Sequence, residues 1–214
     1  LAERELLGAA KVIEDAARIL MNARPKRDNV DPTVLDEAAI NDAIFGAALA
    51  ITQATASLVK SASSCQEERS KMIKSTPGGK KYKNDPTWAN GLISAAKAVG
   101  TSVQQLVRSA NDCANGNMDQ EVLIASARAV AASTAQLVAA SRSKADPLSK
   151  SQSSLGEASK LISTATGKLV TAAQKAAQWK EETQEVNNQS TFTGTMKEKF
   201  DQQVKILKLE AELD

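Results

Sequence analysis

The chain has 214 residues and a net charge of +2, with 42% hydrophobic but only 3% aromatic residues, so it can bury one good-sized core. Its wealth of Ala and Ser and its poverty in aromatics argue against sheets and for helices. It has no histidine, which removes the commonest general base, the commonest metal ligand and every Ser-His or Cys-His nucleophile pair.

In chain order, helix 1 covers roughly residues 1–23, with Leu6, Ala10, Ile13, Ala17 and Leu20 at four- and three-residue steps, and Pro25 closes it. Helix 2, roughly 33–73, carries Ile40, Ile44, Ala47, Ile51, Ala54, Leu58, Ser61 and Cys65. Helix 3, roughly 86–114, carries Leu92, Ala96, Val99, Val103, Leu106, Ala110 and Cys113. Helix 4, roughly 119–144, carries Leu123, Ala127, Val130, Thr134, Leu137 and Ser141. Helix 5, roughly 147–181, carries Leu155, Ala158, Ile162, Ala165, Leu169, Ala172, Ala176 and Trp179. Asp31-Pro32, Asp85-Pro86 and Asp146-Pro147 each read as an N-cap carboxylate followed by proline at the first helical position. A period near 3.5 with short connections predicts an all-α fold, a five-helix antiparallel up-down bundle over 1–181.

Residues 182–194, rich in Glu, Gln, Asn and Thr and ending at Gly194, read as a linker. A sixth, coiled-coil-type helix follows from about 195. Phe200, Val204, Leu207 and Ala211 form one apolar line along it, and Ile206, Leu209 and Leu213 another on roughly the opposite side. A helix with two apolar sides needs two partners, and a second copy of itself is one candidate. The chain opens on Leu1 rather than methionine and stops in mid-pattern at Asp214, which reads as a segment of a longer protein.

Charge is unevenly placed. Lys74 to Lys180 holds 14 basic against 6 acidic residues, whereas 1–73 and 181–214 are mildly acidic, at 9 against 11 and 4 against 8. A basic middle suits an acidic partner. Within it, Val122–Ser141 has Arg128 as its only charge. Either this helix is enclosed by others, or it offers a low-charge face to a partner, and the two are compatible if one side is core and the other interface. Its Ala, Ser and Thr content and the internal Arg128 argue against a membrane span. Cys65 and Cys113 lie on apolar lines with no CxxC spacing, so they read as buried free thiols of a reducing, cytoplasmic compartment and not as zinc ligands. Pro77-Gly78-Gly79-Lys80 lacks the spacing of a phosphate loop. No catalytic constellation, cofactor site, metal site or nucleic-acid surface is read.

Several blocks carry a resemblance. Trp88-Ala89-Asn90-Gly91-Leu92-Ile93-Ser94-Ala95-Ala96-Lys97 resembles the W-x-x-G-L-I-S-A-A-[KR] block of the I/LWEQ family. Glu121-Val122-Leu123-Ile124 is similar to its E-x-L-I block, and Val130–Leu137 to the V-A-A-S-T-A-Q-L run that follows. Val170–Ala177 is similar to its glutamine block, and Ala56–Ala62 to its first block. Leu1–Leu7 and the Gln174-Lys175-Ala176-Ala177 run favour the talin branch. Lys97–Gly100 and Gln203–Leu207 resemble the endocytic huntingtin-interacting and Sla-type adaptors.

The resemblance implies a filamentous-actin-binding module of the cytoskeleton at adhesion or cortical sites. It further implies a C-terminal helix that forms a homodimer and an upstream helix, here 1–27, that restrains actin binding. It also implies a site at the end of helix 4, where a K-V-K triplet of the talins corresponds to Arg142, Ser143 and Lys144. The residues off the core lines of helices 3 and 4 agree with such a face: Lys97, Gln104, Arg108, Arg128, Gln136, Arg142 and Lys144. Two other readings stand beside it. One is an adaptor bundle that recognises a partner amphipathic helix. The other is an acidic-lipid surface binder using Lys80, Lys81 and Lys83.

Overall fold

A computed structural model describes residues 2–23, 35–75, 86–115, 119–142 and 149–211. Among these the secondary structure is entirely helical, in five helices: α1 (Ala2–Ala23), α2 (Leu35–Ser75), α3 (Pro86–Ala114), α4 (Gln120–Arg142) and α5 (Lys150–Ala211). α3 begins on Pro86, where a missing N–H costs nothing. Residues 31–32, 85 and 146–147, which hold the rest of the expected caps, lie outside the described residues. α5 begins three residues later than the sequence suggests. Ser149 is its cap, its hydroxyl accepting the backbone N–H of Gln152 at 3.0 Å.

The chain divides into two compact units, residues 1–174 and 175–214. In the first, α1 packs on α2 and α3, α2 also on α3 and α4, and α3 on α4. α5 joins along several turns, burying Leu155, Ala158, Ile162, Ala165 and Leu169, and its first turn adds polar ties. Gln152 Nε2 donates to Cys65 Sγ of α2 and to the Ser141 carbonyl of α4, and the Ser151 hydroxyl donates to Glu68 of α2. Glu5 meets Lys97 near the start of α1, and Ile19 shares a groove with Asn111 farther along, so α1 and α3 run in the same direction, as an up-down-up path requires.

The core is built from the periodic positions. Leu6, Ile13, Leu20, Ile44, Ile51, Leu58, Leu92, Leu106, Leu123, Leu137, Leu155 and Ile162 are its largest fully buried side chains. Each such burial is worth about 1.5–3 kcal/mol relative to exposure. Ile40, Ser61, Ala176 and Trp179 are only half-buried, although the spacing puts them on core lines. α2 is buried on two sides, because Phe45, Ala48, Thr52, Thr55, Val59 and Ala62 are inside as well as the expected line. Its threonines are tolerated there because each hydroxyl donates back to the carbonyl four residues earlier, Thr52 to Ala48 at 2.8 Å and Thr55 to Ile51 at 2.7 Å.

The second unit corrects one expectation. Residues 182–194 are not a break: α5 runs through them to Ala211. The stretch has no proline, and its polar side chains Glu182, Thr183, Gln184 and Glu185 are exposed, as a solvated helix allows. Thr183 Oγ1 donates to the Trp179 carbonyl at 2.8 Å, one turn back. Gly194 in a helix interior costs about 1 kcal/mol relative to Ala, which does not end a helix.

Candidate functional site

The seam between α3 and α4 is made by small side chains. Ser102 and Ser133 are both buried, and their hydroxyl oxygens lie 2.8 Å apart across it. Each hydroxyl also lies 3.0 Å from the carbonyl three residues back, Val99 and Val130, so that one donates across the seam and the other to its own helix. Buried Ala95 and Ser109 on α3 and Ser126 on α4 continue the same small-residue character. Such a seam brings two helices close together and leaves their outer sides side by side.

Those outer sides hold the candidate residues. On α3, Lys97, Gln104 and Arg108 are exposed and share one side of the helix, spaced seven and four residues apart. On α4, Arg128, Gln136 and Arg142 are exposed. Between and beside them the surface of α4 is Val122, Ala125, Ala129, Ala132, Ala135 and Ala139, all exposed. α4 is therefore enclosed on one side only. α4 buries one side, centred on Leu123, Val130 and Leu137, and keeps an exposed, nearly uncharged other side. Arg142 also packs on α5, its guanidinium standing 3.4 Å from where a side chain would begin at Gly156. Ser143 and Lys144 lie outside the described residues, as do Lys80, Lys81 and Lys83.

Two features of this region were not anticipated. α1 is tied down by ion pairs on both flanks: Glu5 to Lys97 of α3 at 3.8 Å, and Glu14 to Lys60 of α2 at 2.5 Å. One of the candidate cations is therefore already engaged by α1. Beside it lies a groove of 360 Å³ between α1 and α3, in which Gln104 and Arg108 form part of the wall. In the sequence, Glu5 and Glu14 are ordinary helix-surface carboxylates; only a parallel alignment of helices 1 and 3 would have matched Glu5 to Lys97.

Of the residues assigned to self-association, Phe200 is 68% exposed and Val204 half-buried. Ile206, Leu207, Leu209 and Ala211 belong to α5, and Leu213 lies outside the described residues. Val186, within the expected linker, and Met196, within the expected sixth helix, are further exposed apolar residues of α5.

Comparison with known sequences places this geometry in context. The I/LWEQ domain family matches residues 82–214. Over its whole length the chain is 48% identical to Talin-B of Dictyostelium discoideum, 38% identical to the Endocytosis protein end4 of Schizosaccharomyces pombe and 33% identical to Huntingtin-interacting protein 1 of Homo sapiens. The chain spans 8%, 19% and 20% of those proteins, respectively.

Proposed function

The chain belongs to the I/LWEQ domain family, and on that premise we propose that it is a binding module for filamentous actin whose contact face is the outer side of α3 and α4. The carrying observation is the composition of that face. Lys97, Arg108, Arg128 and Arg142 stand around a broad field of exposed Ala and Gln, with Glu121 at one end. An actin filament is a repeating acidic track. Scattered cations steer the encounter, and the small uncharged side chains allow close approach without desolvating further charges.

α1 is the restraint in this scheme. It holds Lys97 through Glu5 and stands against the wall of α3 that carries Gln104 and Arg108. The C-terminal part of α5 supplies self-association, with Phe200 and Val204 leading the apolar residues available to a second chain. A dimer would engage one filament at two points, raising apparent affinity through effective concentration. The module would tether a larger adaptor to the actin cytoskeleton, at adhesions on the talin side of the family or at endocytic sites on the other. The 48% identity to Talin-B favours the first.

Sedimentation with actin filaments tests the proposal. The chain should appear in the pellet in a saturable manner, and less so as salt rises, because exposed charges are screened over about 8–10 Å at physiological ionic strength. A chain that stays in the supernatant at low salt and high filament concentration is not an actin module.

A further inference from the structure

The groove between α1 and α3 has an apolar floor and one polar wall. Val12, Ala16 and Ile19 of α1 and Val107 of α3 supply the apolar part. Val12 and Ile19 lie seven residues apart on one side of α1, two turns or about 10 Å along the axis. They are 37% and 57% exposed, so the bundle leaves this ridge open. The polar lining is a line on α3, Gln104, Arg108 and Asn111, with Asp15 of α1 beside the ridge.

The charges around the groove are unequal. Its carboxylate, Asp15, already holds Arg18 at 2.8 Å, and Glu5 farther along holds Lys97. Arg108 forms no ion pair among the described residues. Lys11 and Arg4 stand exposed on the outer side of α1. Among the groove's charges, then, Asp15 is already paired and Arg108 is not. Gln104 and Asn111 flank Arg108 with amide donors that can join it around one carboxylate.

We propose that this groove receives an amphipathic helix from a partner protein, apolar along the ridge of Val12 and Ile19 and carrying an acidic side chain against Arg108. The spacing of the ridge matches residues i, i+3 or i+4, and i+7 of a docked helix. A basic helix would set a cation against Arg108, while the groove's one carboxylate, Asp15, is already held by Arg18. The assignment goes beyond the filament reading, and it depends on that reading only in that Gln104 and Arg108 serve both surfaces.

The test uses the full chain, isotope-labelled, titrated without actin with two synthetic helical peptides. Both carry leucines at i, i+4 and i+7; one bears Glu and the other Lys at the flanking positions. The Glu peptide should shift the amide resonances of 12–19 and 104–111 saturably, with a dissociation constant on the order of 100 µM for so small a surface. The Lys peptide should bind about tenfold more weakly, and Arg108→Glu should invert that preference. Ile19→Glu, an exposed position that should leave the fold intact, should abolish the shifts. Equal binding of the two peptides, or no inversion in Arg108→Glu, would overturn the proposal. Shifts at these residues that depend on protein concentration alone would also overturn it, assigning the groove to a second copy. Because no actin is present, failure here is separate from failure of filament binding.

Discussion

Ser102 and Ser133 bring α3 and α4 together because they are small and because each hydroxyl is satisfied within the seam. Ser133→Ala should cost no more than about 1 kcal/mol, since Ser102 keeps its bond to Val99. Ser133→Leu should cost about 1–3 kcal/mol by overpacking, seen as a lowered melting temperature. Cys65 gives a pH signature. Burial and the neighbouring Glu68 carboxylate push its thiol above the ordinary thiol range, while Gln152 pulls weakly the other way. The unfolded chain therefore loses this proton first, so the contribution is present at neutral pH and drains away as pH climbs from the unfolded thiol's value through the folded one. Denaturation curves should show stability falling on the alkaline side, and Cys65→Ser should flatten that fall. At this scale the sequence was readable wherever a side chain had one plausible home. The Leu and Ile lines fall inside because a 3.6-residue period repeats over many turns. Thr52 and Thr55 gave no such signal, because a hydroxyl that bonds to its own helix leaves no mark on periodicity.

α1 and α5 show where elements were legible and where they were not. Every apolar residue on the expected line of α1 is buried, and its ends fall where they were expected. Its pairings were hidden, because which helix Glu5 faces depends on tertiary alignment. Glu5→Lys combined with Glu14→Lys replaces two attractions by repulsion from Lys97 and Lys60. Exposed pairs of this kind are worth about 0–1 kcal/mol each, so the bundle should survive while α1 loosens. Filament sedimentation by this variant should rise above that of the parent; an unchanged or lower bound fraction in a folded variant would remove α1 from control of the site. In α5 the polar run 182–194 looked like a linker because a solvated helix has no apolar period to reveal it. Gln184→Pro should lower helical circular dichroism measurably, since proline costs about 3 kcal/mol in a helix interior. A true linker would accept it without change.

For the whole molecule, the proposed function joins one filament face to one self-association helix. Val204→Asp with Leu207→Asp should abolish dimer formation in equilibrium sedimentation and lower apparent filament affinity together, by about 10²-fold if both modules reach the filament. Loss of dimer with unchanged affinity would separate the two properties. The candidate face itself was read from residues off the core lines, and its described members, Lys97, Gln104, Arg108, Arg128, Gln136 and Arg142, are all exposed. The most direct measurement compares the parent with an Arg108→Glu, Arg128→Glu, Arg142→Glu variant in filament co-sedimentation at low and high salt. These side chains are exposed, so the melting temperature should hardly move. The account predicts that the parent pellets with filaments at low salt, that the variant binds about tenfold more weakly or worse, and that the gap narrows as salt rises. A folded variant that pellets as well as the parent at low salt would contradict it.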